Sequence, residues 1–460
     1  MVNNIIIQGH IVNPEEVFFG QIAIDRQTGL ITEVAKGAGL FEQRSIGNPM
    51  YIFSKDVLIF PGFGDIHIHA REDETGKQCY KEDYATVNAA AIQGGVVHTS
   101  DMPNTPAPLI TSAQLHWHQH RCSGYPVAMF HYVGIGQETR PLEENVAYKV
   151  FTSHSVGTLF FRSEQELRNA LQHYRKKRVS FHVEDFAILE ERKVEPTHAE
   201  RRPVACIEKA LEYVLQIIED YELEAKLCHW PVGGKSFDMI AKHRARGYNT
   251  TLEVSPLHLF YDADMLKEKP ELWPYVQMNP ALQGREHRLA LIQALKSGFI
   301  QYLATDHAPH TLEEKFKQFK TEEQQRLGMT PEQYYKHLKE TDIERCRELA
   351  CLDGISGTPQ LDTYGLIATW LMKEHGFAPQ DIVRVCAENP GAFVNQLHTG
   401  PGKFGKIEPG YYGSLTLLDT TKQTTVRRED LKTKVGWSPF EGVTFPGSVA
   451  ATFIKGIRYN

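Results

Sequence analysis

The chain of 460 residues is 41% apolar and 23% charged, with a formal charge of -7, so neither nucleic acid nor an anionic membrane is an expected partner. Seven cysteines lie scattered without a Cys-x-x-Cys pair, and the odd count speaks against a disulfide framework. No basic segment precedes an apolar stretch at Met1-Val2-Asn3-Asn4 and no apolar run approaches about eighteen residues, which leads to the expectation of a soluble cytoplasmic protein.

The first fifty-odd residues alternate and turn like a small antiparallel sheet: Asn4 to Gln8, Phe18 to Ile24 and Leu30 to Val34, with Asn13-Pro14 and Thr28-Gly29 as turn chemistry. The middle of the chain changes to strand followed by helix, repeated. Gly95 to Met102, Val127 to Val133, Tyr148 to Phe151, Val179 to His182, Ala225 to His229, Thr250 to Val254 and Phe299 to Thr305 read as short strands. Helical stretches separate them, such as Ile207 to Ile218 and Leu289 to Leu295. Tyr412 to Leu418 and Val449 to Arg458 return to the strand rhythm of the start. The reading is therefore α/β: a (β/α)8 TIM-like barrel over 57–399, with a small β-sandwich module built from 1–56 and 400–460. Length and repetition favour the barrel over an open doubly wound sheet.

The stretch Asp65-Ile66-His67-Ile68-His69-Ala70-Arg71 follows the apolar run Val57 to Pro61. Alternation along a strand puts His67, His69 and Arg71 on one face. Two neutral imidazoles converging on one point can hold a metal ion, and a guanidinium beside them suits bidentate capture of a carboxylate. An isolated His-x-His is as often a pair of solvated histidines. Lys149, His182, His229 and Asp306, however, recur at or near the carboxyl ends of successive strands, where barrel enzymes build their active sites. Six metal-competent groups at equivalent positions outweigh the bland reading.

These residues, with Asp101-Met102-Pro103-Asn104-Thr105 and Ala304-Thr305-Asp306-His307-Ala308-Pro309-His310, resemble the dihydroorotase family of the amidohydrolase superfamily. Glu253 to Leu259, Met278 to Leu282 and Asn389 to Ala392 extend the resemblance over nearly the whole chain. It implies two divalent cations, zinc by family habit, held by His67, His69, His182, His229 and Asp306. Lys149 would be carboxylated to bridge them. It further implies reversible hydrolysis of dihydroorotate to N-carbamoyl-aspartate by a metal-bridged hydroxide, with Asp306 as general base and then acid. Arg71, Asn104 and His310 would hold the substrate carboxylate, and Asn279 would meet the ring. A small-molecule substrate and a homodimer are the partners expected.

The chain departs from the family pattern at Gln283, where a basic residue is usual, and at Leu257-His258, where two histidines are usual. A charged, helix-forming insertion at about 316–351 follows the Asp306 motif, with Thr330-Pro331-Glu332-Gln333 as a capped helix start. A lid, an interface and a solvated decoration all suit it, the last being the usual case. Two rival functions stay open. A hydantoinase or allantoinase would share the chemistry with less need of Arg71, and a non-catalytic subunit would be expected to have lost ligands.

Overall fold

The computed structural model describes residues 4–38, 49–154 and 159–460. Its terminal segments meet in one eight-stranded sheet. Asn4–Val12 pairs antiparallel with Val17–Asp25, and that strand pairs antiparallel with Ile31–Lys36. From the other terminus, Leu415–Asp419 pairs antiparallel with Ser448–Ile454. Val57–Pro61 joins the two halves, parallel to Asn4–Val12 and antiparallel to Leu415–Asp419. This strand, read from sequence as the first of the barrel unit, thus belongs to the terminal sheet. The change of layer comes at Gly62, whose N–H donates to the Ser414 carbonyl at 2.8 Å. Ile5, Ile7 and Ile11, alternate residues of one strand, share a buried cluster with Leu415, Leu417 and Phe453. The module therefore has a core of its own, separate from the barrel.

The second eight-stranded sheet is the barrel. Its strands are β1 (Phe63–Ile68), β2 (Val96–Asp101), β3 (Ala128–Gly134), β4 (Ala147–Phe151), β5 (Arg178–His182), β6 (Glu224–Leu227), β7 (Thr250–Val254) and β8 (Tyr302–Leu303). Each runs parallel to its sequence neighbour. The ring closes between its first and last members where the His69 N–H donates to the His307 carbonyl at 2.7 Å. The strands are almost continuously buried, as expected when helices cover one face and the barrel interior the other. Helix Val204–Tyr221 shows the period that packs it there, burying Ile207, Ala210, Leu211, Val214, Ile217 and Ile218.

The insertion is more than a solvated decoration. Helices Pro331–Thr341 and Ile343–Cys351 bury Tyr334, Tyr335, Leu338, Cys346 and Leu349 against Phe316 and Phe319. The capping box read from sequence is present: Thr330 Oγ1 accepts from the Gln333 N–H at 3.2 Å, and Gln333 Oε1 accepts from the Thr330 N–H at 2.8 Å. Tyr335 Oη donates to the Glu271 carbonyl at 3.1 Å, tying the insertion to the barrel's rim. The chain leaving it, Asp353 to Gly357, lines the cavity described below.

Candidate active site

A cavity of about 460 Å³ opens at the carboxyl ends of the barrel strands. His67, His69, His182, His229 and Asp306 line it, as do Arg71, Asn104, Asn279 and His310. Strand β1 ends at Ile68, so His69 and Arg71 depart from the turn beyond it rather than from a continued strand. Arg71 (φ 61°), His229 (φ 34°) and Asp306 (φ 51°) all have left-handed backbones. For residues other than glycine that conformation costs of order 1–3 kcal/mol, and such strain gathers at functional sites. Here it turns three strand-end side chains inward over the barrel mouth.

The polar groups converge. His67 Nε2 and His69 Nε2 lie 3.2 and 3.1 Å from Asp306 Oδ1, and His182 Nδ1 lies 3.1 Å from His229 Nε2. The rings of His67 and His229 are 5.2 Å apart, so the two sets adjoin. Burial, with Lys149 the next cause for His67, Arg71 for His69 and His182 for His229, holds these three imidazoles well below their usual range. They are neutral, with lone pairs to offer. Burial likewise lifts the Asp306 carboxyl to about 7, against the pull of Lys149. Lys149 is fully buried in β4 beneath this cluster, and its Nζ makes no hydrogen bond. The Nδ1 of His229 is also without a partner.

Carboxylates outside the cluster orient its histidines. Glu253, at the end of β7, accepts from Nδ1 of His67 and pairs with Lys226; its Oε1 also accepts from the His229 N–H at 3.1 Å. Glu184 lies 2.7 Å from His182 Nε2 and pairs with Arg202. Burial would raise Glu184, yet Arg202 and His182 together bring it down to about 2. The sequence reading missed both glutamates. The strand-end rule that found the histidines covers Glu253 as well, and Glu184 stands two residues beyond His182.

On the opposite wall, Arg71 Nη2 donates to His310 Nε2 at 3.3 Å. Burial pushes His310 down to about 3, leaving it neutral, and its Nδ1 lies 3.1 Å from Lys81 Nζ and 3.3 Å from Glu314 Oε2. Both imidazole nitrogens are engaged, whereas the buried Nε of Arg71 has no partner. Asn279 Oδ1 accepts from Ser356 Oγ at 2.9 Å. Lys315 donates to the carbonyls of Ile355 and Gly357 at 2.6 and 3.0 Å, which fixes the loop forming this wall.

Three groups among the described residues bring histidine, cysteine or carboxylate atoms together closely enough for a metal ion, and His67, His69 and Asp306 form one of them. Neutral imidazoles, a carboxylate and two orphaned nitrogens around one cavity fit a divalent centre.

Comparison with known proteins agrees. The family described as "Amidohydrolase family" matches residues 58–458. The dihydroorotase of Pyrococcus furiosus is 27% identical over 446 residues, covering 96% of this chain and 92% of that protein. The dihydroorotase of Bacillus subtilis is 29% identical over 428 residues, covering 89% and 88%. Among solved structures, the L-hydantoinase (dihydropyrimidinase) of Arthrobacter aurescens superposes with a TM-score of 0.80 at 19% identity, covering 100% of this chain and 96% of that one. The dihydropyrimidinase of Brevibacillus agri gives 0.76 at 18% identity, covering 99% and 94%. At those identities the structural likeness speaks for the fold. A match across nearly the whole chain, a parallel barrel and clustered histidines at its carboxyl end make this protein a member of the amidohydrolase family.

Proposed function

We propose that the protein is a dihydroorotase, opening the ring amide of dihydroorotate to N-carbamoyl-aspartate and closing it in reverse. The observation that carries this reading is Arg71: a buried guanidinium on the cavity wall, with Nε unpartnered, beside the histidine cluster. A cation so placed asks for an anionic substrate, and dihydroorotate carries a carboxylate on the ring carbon one methylene away from its scissile carbonyl. Burying that carboxylate against no cation costs several kcal/mol, so the guanidinium selects for it.

In this reading His67, His69 and Asp306 would hold one divalent cation and His182 and His229 another, zinc by family habit, with Lys149, carboxylated on Nζ, as a shared ligand. A carbamate would give a buried nitrogen that makes no hydrogen bond two oxygens with which to meet the cations. Bound cations supply Lewis acidity toward the amide carbonyl and toward a water molecule. The chain's own residues do the rest. Arg71, Asn104 and His310 take the substrate carboxylate, His310 accepting from Arg71 and so fixing the direction of its fork, and Asn279 meets the ring. Asp306 takes the proton from the attacking water as the carbon–oxygen bond forms. It returns that proton to the ring nitrogen as the carbon–nitrogen bond breaks.

The test is an assay of purified protein with dihydroorotate, hydantoin and allantoin, alongside metal analysis. Turnover of dihydroorotate well above the two uncharged rings is expected. A preference for hydantoin would replace this reading with that of a hydantoinase.

A further inference from the structure

A second group of ligating side chains lies outside the cavity, between the barrel strands and the helices that cover them. Asp101 ends β2, and His131 sits directly across the ladder from it on β3. His118 comes from helix Ser112–Cys122 and Tyr84 opens helix Tyr84–Gln93. All four are buried. One ligand atom each from Asp101, His118 and His131 can be chosen so that all lie within 4.8 Å of one another. Tyr84 Oη joins them, 3.3 Å from Asp101 Oδ2 and in contact with His118 Nδ1.

We infer that Asp101, His118 and His131, with Tyr84 as a fourth donor, form a structural site for a borderline divalent cation such as zinc, separate from the centre in the cavity. Three observations carry it. First, His131 Nδ1 is buried and makes no hydrogen bond, facing Asp101 Oδ2 as an ion pair, while its Nε2 lies 3.5 Å from Cys122 Sγ; an ion there would displace the proton that, against burial, Asp101 and Cys122 hold on the ring. A partner on the far nitrogen is the usual way a ligating imidazole is oriented. Second, Asp101 Oδ2 lies 3.8 Å from His131 Nδ1 and 3.3 Å from Tyr84 Oη. Donors around tetrahedral zinc stand about 3.4 Å apart, so these separations need little movement. Third, His131 also borders a cavity of about 190 Å³, together with Gln119, Asn145 and His398.

The donors come from two strands and two helices, so an ion there would clamp the helix layer to the barrel. It would also fix Asp101, whose Oδ1 accepts from the Ala70 N–H at 2.8 Å. Ala70 stands between His69 and Arg71, so the clamp steadies the turn that delivers both to the cavity.

The test is metal content. The protein, reconstituted with zinc and freed of excess, is compared with His131→Gln and His118→Gln by elemental analysis. Each variant should lose one equivalent per chain relative to the unmodified protein. Equal content in all three would overturn the site and leave Asp101 and His131 as a plain ion pair. Should neither variant fold, anomalous diffraction at the zinc edge from crystals of the unmodified protein decides. A peak about 2.0–2.2 Å from Asp101 Oδ2 and His131 Nδ1 is expected, and no peak there overturns the site.

Discussion

Glu253 holds Nδ1 of His67, so that Nε2 of the same ring faces Asp306 at 3.2 Å. A carboxylate behind a ligating imidazole fixes its tautomer and raises its basicity, and losing such a partner costs roughly 10–100-fold in metal affinity. Glu253→Gln should therefore weaken cation binding by about that factor, as read by chelator competition. Unchanged affinity would separate Glu253 from the centre.

Lys149→Ala should abolish most activity while the fold persists, because the fully buried strand β4 keeps its backbone pairing on both sides. Partial rescue by short carboxylates would identify the bridging role. Full activity together with full metal content in the untreated variant would refute it.

Arg71→Met tests the substrate. A hydrogen bond to a charged group contributes about 1.5–3 kcal/mol, or roughly 10- to 150-fold, and a bidentate pair contributes more. kcat/KM for dihydroorotate should fall by at least that range with both cations retained. Turnover of any uncharged cyclic amide should fall much less. Intact dihydroorotate kinetics in this variant would contradict the assignment.

The pH profile follows from Asp306, which burial lifts to about 7. As a base it must be deprotonated, so ring opening should speed up as pH rises through its titration. Bound cations favour the carboxylate and draw that limb to lower pH. Ring opening turns a neutral amide into a carboxylate and releases a proton, so ring closure consumes one and should slow over the same interval. A kcat/KM for ring opening that stays flat from roughly pH 5 to 9 would remove Asp306 from proton transfer.

The insertion's own core gives a stability prediction. Tyr335 packs 4.6 Å from the ring of Phe316 and is buried. Emptying a buried aromatic site costs about 3–5 kcal/mol. Tyr335→Ala should lower the denaturation midpoint of this segment, measured by protection of its amides against exchange, and leave the barrel centre's metal content unchanged.

Local chemistry on the chain was enough to show the repeated strand–helix rhythm, the capped helix at Thr330 and the strand-end placement of His67, His69, Lys149, His182, His229 and Asp306. Periodicity and capping act over a few residues, so they can be read without coordinates. Pairing between distant segments decided the rest. Val57–Pro61 looks like a barrel strand by composition, yet joins the terminal sheet because its partners are Asn4–Val12 and Leu415–Asp419. Glu253 and Glu184 became visible as orienting groups only when packing placed them behind His67 and His182. Asp101, His118 and His131 carry no spacing motif, since their donors come from three different elements. Such groupings depend on which side chains the tertiary fold brings within a few ångströms, and no local pattern encodes that.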